Sequence, residues 1–189
     1  MADVTQDRAR IIEAADRLFY GRGIQAVGMD AVRSESGVPL KRLYASFPSK
    51  EALLEAVMRH RMTIWSDGIA AAAVAATTPE DRLLAIYDFL DLWFRDETFR
   101  GCGFINAFGE LGAVSPTVAR VAQEQKSTFQ AYVAELVDEL GAPDDLAPQL
   151  SLLAEGAQTT AAIDGSPASA AHARRAASVL IEAALARRG

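Results

Sequence analysis

A chain of 189 residues, 50% hydrophobic and 23% charged, has ordinary globular usage with enough apolar matter for a sizeable core, which excludes a disordered polymer. Its single cysteine, Cys102, rules out an intrachain disulfide and a Cys-based zinc site. The net charge of -6 argues against a nucleic-acid partner only until it is divided along the chain: residues 1 to 50 hold eight Lys or Arg against six Asp or Glu, a balance of +2, leaving −8 for the remainder. A mildly basic head on an acidic body is what a DNA-binding module attached to a regulatory domain would show, although scattered surface charge yields the same numbers. No signal-peptide segment or long uncharged apolar run is found, so the expected location is the cytoplasm, without a membrane span.

In chain order, Ile11, Ile12, Ala15, Leu18 and Phe19 recur at helical spacing and predict a helix from Thr5 to about Tyr20, ended by the Gly21–Gly23 stretch. Arg8 and Arg10 near its start are expected on a solvated face or at phosphate. A short helix follows from Met29 to about Ser36, broken by Gly37, with Val38 plugging the corner. A second short helix runs from Pro39 or Leu40 to about Ser46, and on it Leu43 and Phe47 face inward with Met29 and Val32. Its outer face carries Lys41, Arg42 and Tyr44. Two helices joined by a glycine turn, the second with a cationic outer face, make the helix-turn-helix arrangement that lays a recognition helix in the major groove.

Pro48 stops that helix, and Ser49 caps a much longer one carrying Leu53, Leu54, Val57, Met58 and Trp65 toward an alanine tract at 70 to 76. Thr78 and Pro79 open a helix apolar on more than one face, and such a helix is enclosed by neighbours. A short helix within residues 101 to 112, a long one from Ser115 or Pro116 to Leu140, and two more over 146 to 163 and 169 to 187 complete an all-α chain of about nine helices. The last two are rich in alanine, and small side chains permit close helix packing.

From Ile11 to about Leu54 the chain resembles the DNA-binding domain of the TetR family of transcriptional regulators. The matching words are AADRLFYGRGIQAV, GV at 37 and 38, LY at 43 and 44, and FPSKEALLEAV from Phe47. The resemblance implies a helix-turn-helix DNA-binding domain over residues 1–48 and a helical ligand-binding and dimerisation domain over 49–189. It further implies a homodimer formed through the last two helices, about 146–187, on a palindromic operator of double-stranded DNA. The implied function is a regulator, expected as a repressor, released when a small-molecule effector swings the long helix from Ser49.

By the same resemblance, Tyr44 and Lys50 match positions that hold the DNA backbone, and Leu40, Lys41, Arg42 and Ala45 are the readers of sequence. Arg42 has two readings, a bidentate guanine contact or one more phosphate contact. Several positions depart from the family pattern. Gly28 lacks the capping hydroxyl usual there, Pro39 replaces a serine, Ser46 stands where histidine often meets phosphate, and Arg33 and Ser36 replace packed alanines. Arg33 is expected to reach outward to a phosphate.

In the body, Trp65, Trp93, Phe104, Phe108 and Phe129 lie on helices expected to surround an effector cavity, or are simply core. Asn106 and Glu110, four apart among aromatics, are candidates to orient the effector; they could equally form a satisfied contact or face solvent. His60 and His172 are isolated, so no metal site and no cofactor are expected. No Gly-rich phosphate loop, nucleophile elbow or Ser/His/Asp set argues for an enzyme. The rival reading is a dimeric helical small-molecule-binding protein without DNA binding, which the departures at 28, 39 and 46 keep open.

Overall fold

The computed structural model describes residues 2–187, with side chains from Val4 onward, so the expected outer domain limits at 1 and 189 lie outside the described residues. Among these residues there are nine helices and no strand: α1 (Ala2–Arg22), α2 (Met29–Ser36), α3 (Leu40–Ser46), α4 (Lys50–Ala72), α5 (Pro79–Phe94), α6 (Gly103–Leu111), α7 (Pro116–Leu140), α8 (Leu146–Asp164) and α9 (Ala168–Ala186). No helix is long and apolar enough to cross a membrane. Two compact units divide the chain. One takes residues up to Ile64 together with Gly103–Gln123, and the other takes Trp65–Cys102 and Glu124 onward.

This division departs from the boundary expected at 48 and 49. The reason is that α4 packs its first turns with the head, and α6 with the start of α7 is fastened there as well. Ser115 Oγ donates to Glu51 at 2.9 Å, and Arg120 Nη2 reaches Glu55 at 2.8 Å. Glu55 also accepts from Arg59 Nη2 at 2.9 Å, and the hydrogen bonds from Arg120 first and then Arg59 hold its carboxyl below the ordinary value.

In the first unit, α1 packs on both α2 and α3. Ile11, Ala14, Ala15, Leu18 and Phe19 give the buried face of α1, and Val32, Val38, Leu43 and Phe47 close it from the other side. Sequence spacing dictates this, since positions three and four apart share a helical face. Gly37 ends α2 in the left-handed region at φ 66°, and its N–H bonds to Arg33 O at 3.0 Å. Ser36, buried on the same turn, accepts from the Val38 N–H at 3.3 Å and so spends its hydroxyl inside the corner. Ser49 caps α4 by accepting from the Ala52 N–H at 3.1 Å.

The second unit is built on α5, whose Leu83, Leu84, Ala85, Ile86, Tyr87, Leu90 and Phe94 are all buried, as its broad apolar surface predicts. Thr78 caps it, accepting from Asp81 N at 3.1 Å, with Pro79 at the first helical position. Helices α8 and α9 pack on α5 and on each other. The buried alanines 154, 157 and 161 of α8 and 170, 173 and 177 of α9 let the two backbones approach. Tyr87 anchors the arrangement by donating its hydroxyl to Leu150 O at 2.8 Å inside the core, and burial pushes its phenol far above the ordinary value.

Candidate nucleic-acid interface

Helix α3 divides its residues cleanly. Leu43 is fully buried, whereas Leu40, Lys41, Arg42, Tyr44 and Ala45 are exposed and Ser46 is half-buried. An exposed leucine and an exposed tyrosine, each more than 40% accessible beside two cations, are unusual for a helix whose only task is packing. Behind this face α3 packs on α1 and α2, and Val38 in the turn before it is 1% exposed.

Three side chains from the start of α1 fasten α3 and the turn before it. Arg8 Nη1 donates to Ser46 O at 3.1 Å, and its guanidinium lies 4.3 Å from the Phe47 ring centroid. Arg10 Nη2 donates to Ser36 O at 2.7 Å. Asp7, only 3% exposed, pairs with Arg42 Nη1 at 2.9 Å. Both arginines therefore cap the carbonyl ends of α2 and α3, a role that their exposed positions did not indicate. Asp7 was also missed. The signal was there, because it lies four residues before Ile11 on the stripe that α1 buries, and an acid on an apolar stripe needs a partner.

Arg33, expected to reach phosphate, is exposed and paired with Asp30 at 3.6 Å. Lys50 is turned toward its own chain: Nζ donates to Ile24 O at 2.6 Å and lies 5.8 Å from the Phe19 ring centroid. From the opposite side, Glu110 of α6 accepts from the Ile24 N–H and the Gln25 N–H, both at 3.0 Å. The loop before α2 is thus gripped by a cation on its carbonyl and an anion on its amides.

The seven residues expected around an effector are divided between the two units. Trp65, Trp93 and Phe129 share a ring cluster in the second unit, with Trp65 5.5 Å from Trp93 and 5.7 Å from Phe129, both edge-on. Phe104, Asn106, Phe108 and Glu110 belong to α6 in the first unit. There Phe104 and Ala107 take the buried face, so Phe108 is left 54% exposed instead of facing a cavity. Asn106 and Glu110 line a cleft of about 360 Å³ between α1, α4 and α6, with Phe19, Ile24, Val57 and Met58 among its apolar walls. Arg61, also lining it, forms a bidentate pair with Asp16 and lies 3.7 Å from the Tyr20 ring centroid.

A three-helix head whose second helix-turn-helix element presents cations outward, carried by a larger helical body, defines a helix-turn-helix transcription regulator. Residues 11–57 match the model of the bacterial regulatory proteins, tetR family. The chain is 26% identical over 187 residues to the HTH-type transcriptional regulator YjdC of Escherichia coli (strain K12), covering 96% of this chain and 97% of that one. It is 32% identical over 88 residues, 44% of this chain and 40% of the other, to the HTH-type transcriptional activator FasR of Mycolicibacterium smegmatis. The crystal structure of SCO4454, a TetR-family transcriptional regulator from Streptomyces coelicolor, superposes with a TM-score of 0.87 at 25% identity over 95% of this chain and 96% of that one. Residues 11–57 are thus a tetR-family DNA-binding region, and over nearly its whole length the chain is similar to TetR-family transcriptional regulators.

Proposed function

We propose that the chain binds a palindromic operator as a homodimer, represses transcription there, and is released by a small-molecule effector. The observation that carries the DNA half of this reading is the outward face of α3, where Leu40, Lys41, Arg42, Tyr44 and Ala45 stand exposed on a buried Leu43. Lys41, Arg42 and Ala45 reach base edges, while Tyr44, Ser46, Arg33 and Lys50 hold the backbone. Two heads about 34 to 36 Å apart would meet successive major grooves.

Support for the homodimer comes from α8, where Leu152, Gly156, Thr159 and Ile163, spaced by three and four, are all exposed. Leu152 and Ile163 are 69% and 78% accessible, and Val179 of α9 is 62% accessible. A second copy of this surface would cover them. Support for an effector comes from the ring cluster of the second unit. Trp65 Nε1 there is buried and finds no hydrogen-bond partner among the described residues, and neither does Gln125 Oε1, one turn before Phe129 on α7. Orphaned polar atoms in an aromatic setting suit a planar apolar effector that brings one acceptor and one donor. Trp93 and Phe129 would flank it.

The test is retention of duplex fragments from the DNA flanking its own gene. Binding that falls steeply as salt rises supports the reading. Failure to retain any such fragment at low salt would instead support a dimeric small-molecule carrier.

A further inference from the structure

We propose that Asp7 is a positioning residue that makes Arg42 a reader of one base pair and not a clamp on phosphate. The proposal rests on the reading that α3 faces DNA. Phosphate attraction scales with net positive charge, whereas a base edge is recognised by the direction of N–H donors. A guanidinium already paired with a carboxylate through Nη1 at 2.9 Å brings little net charge to the backbone, whereas the direction of its N–H donors is set by that pairing and not cancelled by it. The pair therefore weakens one of the two roles open to Arg42 and leaves the other intact.

Burial decides whether the pair persists when DNA arrives. The Asp7 side chain is 4% exposed and the Arg42 side chain 45%, so the acid is sealed in the protein while the arginine that pairs with it is half-exposed. Leaving Asp7 unpaired would strand a desolvated charge, which is strongly unfavourable. The second exposed arginine of this region behaves oppositely. Arg33 is paired with Asp30, whose side chain is 86% exposed, so that pair dissolves into water at little cost and Arg33 is at liberty to follow a phosphate. Asp7 also sits one turn before Ile11 on the packed face of α1, beside Arg8, which holds the carbonyl end of α3. The carboxylate is thus fixed relative to the helix whose arginine it aims.

The experiment selects a preferred duplex from a randomised library with the full-length protein. It then compares that duplex, its single-pair variants and an unrelated duplex for wild type and Asp7→Asn over a range of salt. For Asp7→Asn, discrimination at one G·C pair should fall about tenfold, while the unrelated duplex binds more tightly and the slope of log K against log salt steepens by roughly 0.9. A loss merely of structure would weaken all duplexes together, and that result overturns the proposal, as does unchanged discrimination. If Asp7→Asn does not fold, Arg42→Lys keeps the charge and removes the fork: discrimination at one pair should fall about tenfold with the salt slope unchanged, and retained discrimination overturns the proposal. A wild type that retains no duplex would instead refute the placement of α3 on DNA.

Discussion

The ammonium of Lys50 has two claims on it. Its match to a backbone-holding position points to phosphate, yet Nζ already donates to Ile24 O at 2.6 Å. Lys50→Ala should therefore lower thermal stability by about 1 to 2 kcal/mol, a charged hydrogen bond being worth more than a neutral one, as well as weaken DNA binding without altering sequence preference. Chemical denaturation and a binding titration on one preparation check both. At this scale the sequence was legible wherever a residue's role is set by helical spacing. Val32, Leu43 and Phe47 are inward as periodicity predicts, and Gly37 turns the chain at a positive φ. Roles set by partners distant in sequence were not legible. Nothing near Lys50 announces Ile24, and nothing near Arg42 announces Asp7.

Among the elements, α6 is the one whose sequence and placement diverge most. Phe104 and Phe108 suggested a wall of an effector cavity or simply core, and Glu110 a ligand contact, a satisfied contact or a solvent-facing group; Glu110 places both carboxylate oxygens on the Ile24 and Gln25 amides. The spacing of Asn106 and Glu110 on one face was correctly read, and both do line a cleft. What faces them across it could not be read, because the opposing wall comes from α1 and α4, some eighty residues upstream for the Glu110 bond. Glu110→Gln leaves one amide facing an NH₂ group, and should cost about 1 kcal/mol and speed hydrogen exchange at Ile24 and Gln25 while sparing α5. Exchange rates unchanged at those two amides would contradict the role given to this carboxylate. Helix limits were otherwise close, since caps such as Thr78, Ser49 and Gly165 are written locally.

For the whole molecule, the all-α class followed from periodicity, while the division into units did not follow from order along the chain. A boundary drawn at Ser49 assumes that a helix belongs to one unit; α4 and α7 each contribute to both. The pairing of two copies is the property left to measure at this scale. Ile163 is 78% accessible on the α8 stripe, so Ile163→Asp should leave the protomer's stability within about 0.5 kcal/mol yet shift sedimentation from dimer to monomer. Operator retention should fall with it, because a lone head meets half a site. An Ile163→Asp protein that still sediments as a dimer would place the contact elsewhere.

The grip of Asp7, Arg8 and Arg10 on the ends of α2 and α3 has a practical corollary. Trypsin cutting after Arg8 or Arg10 would leave every residue of the helix-turn-helix in place, together with its apolar core, and still unfasten α3 from a point 38 residues upstream of Ser46. On the proposal that α3 faces DNA, a head trimmed there would read DNA poorly, so fusion tags placed close to the beginning of α1 bear directly on its choice of sequence.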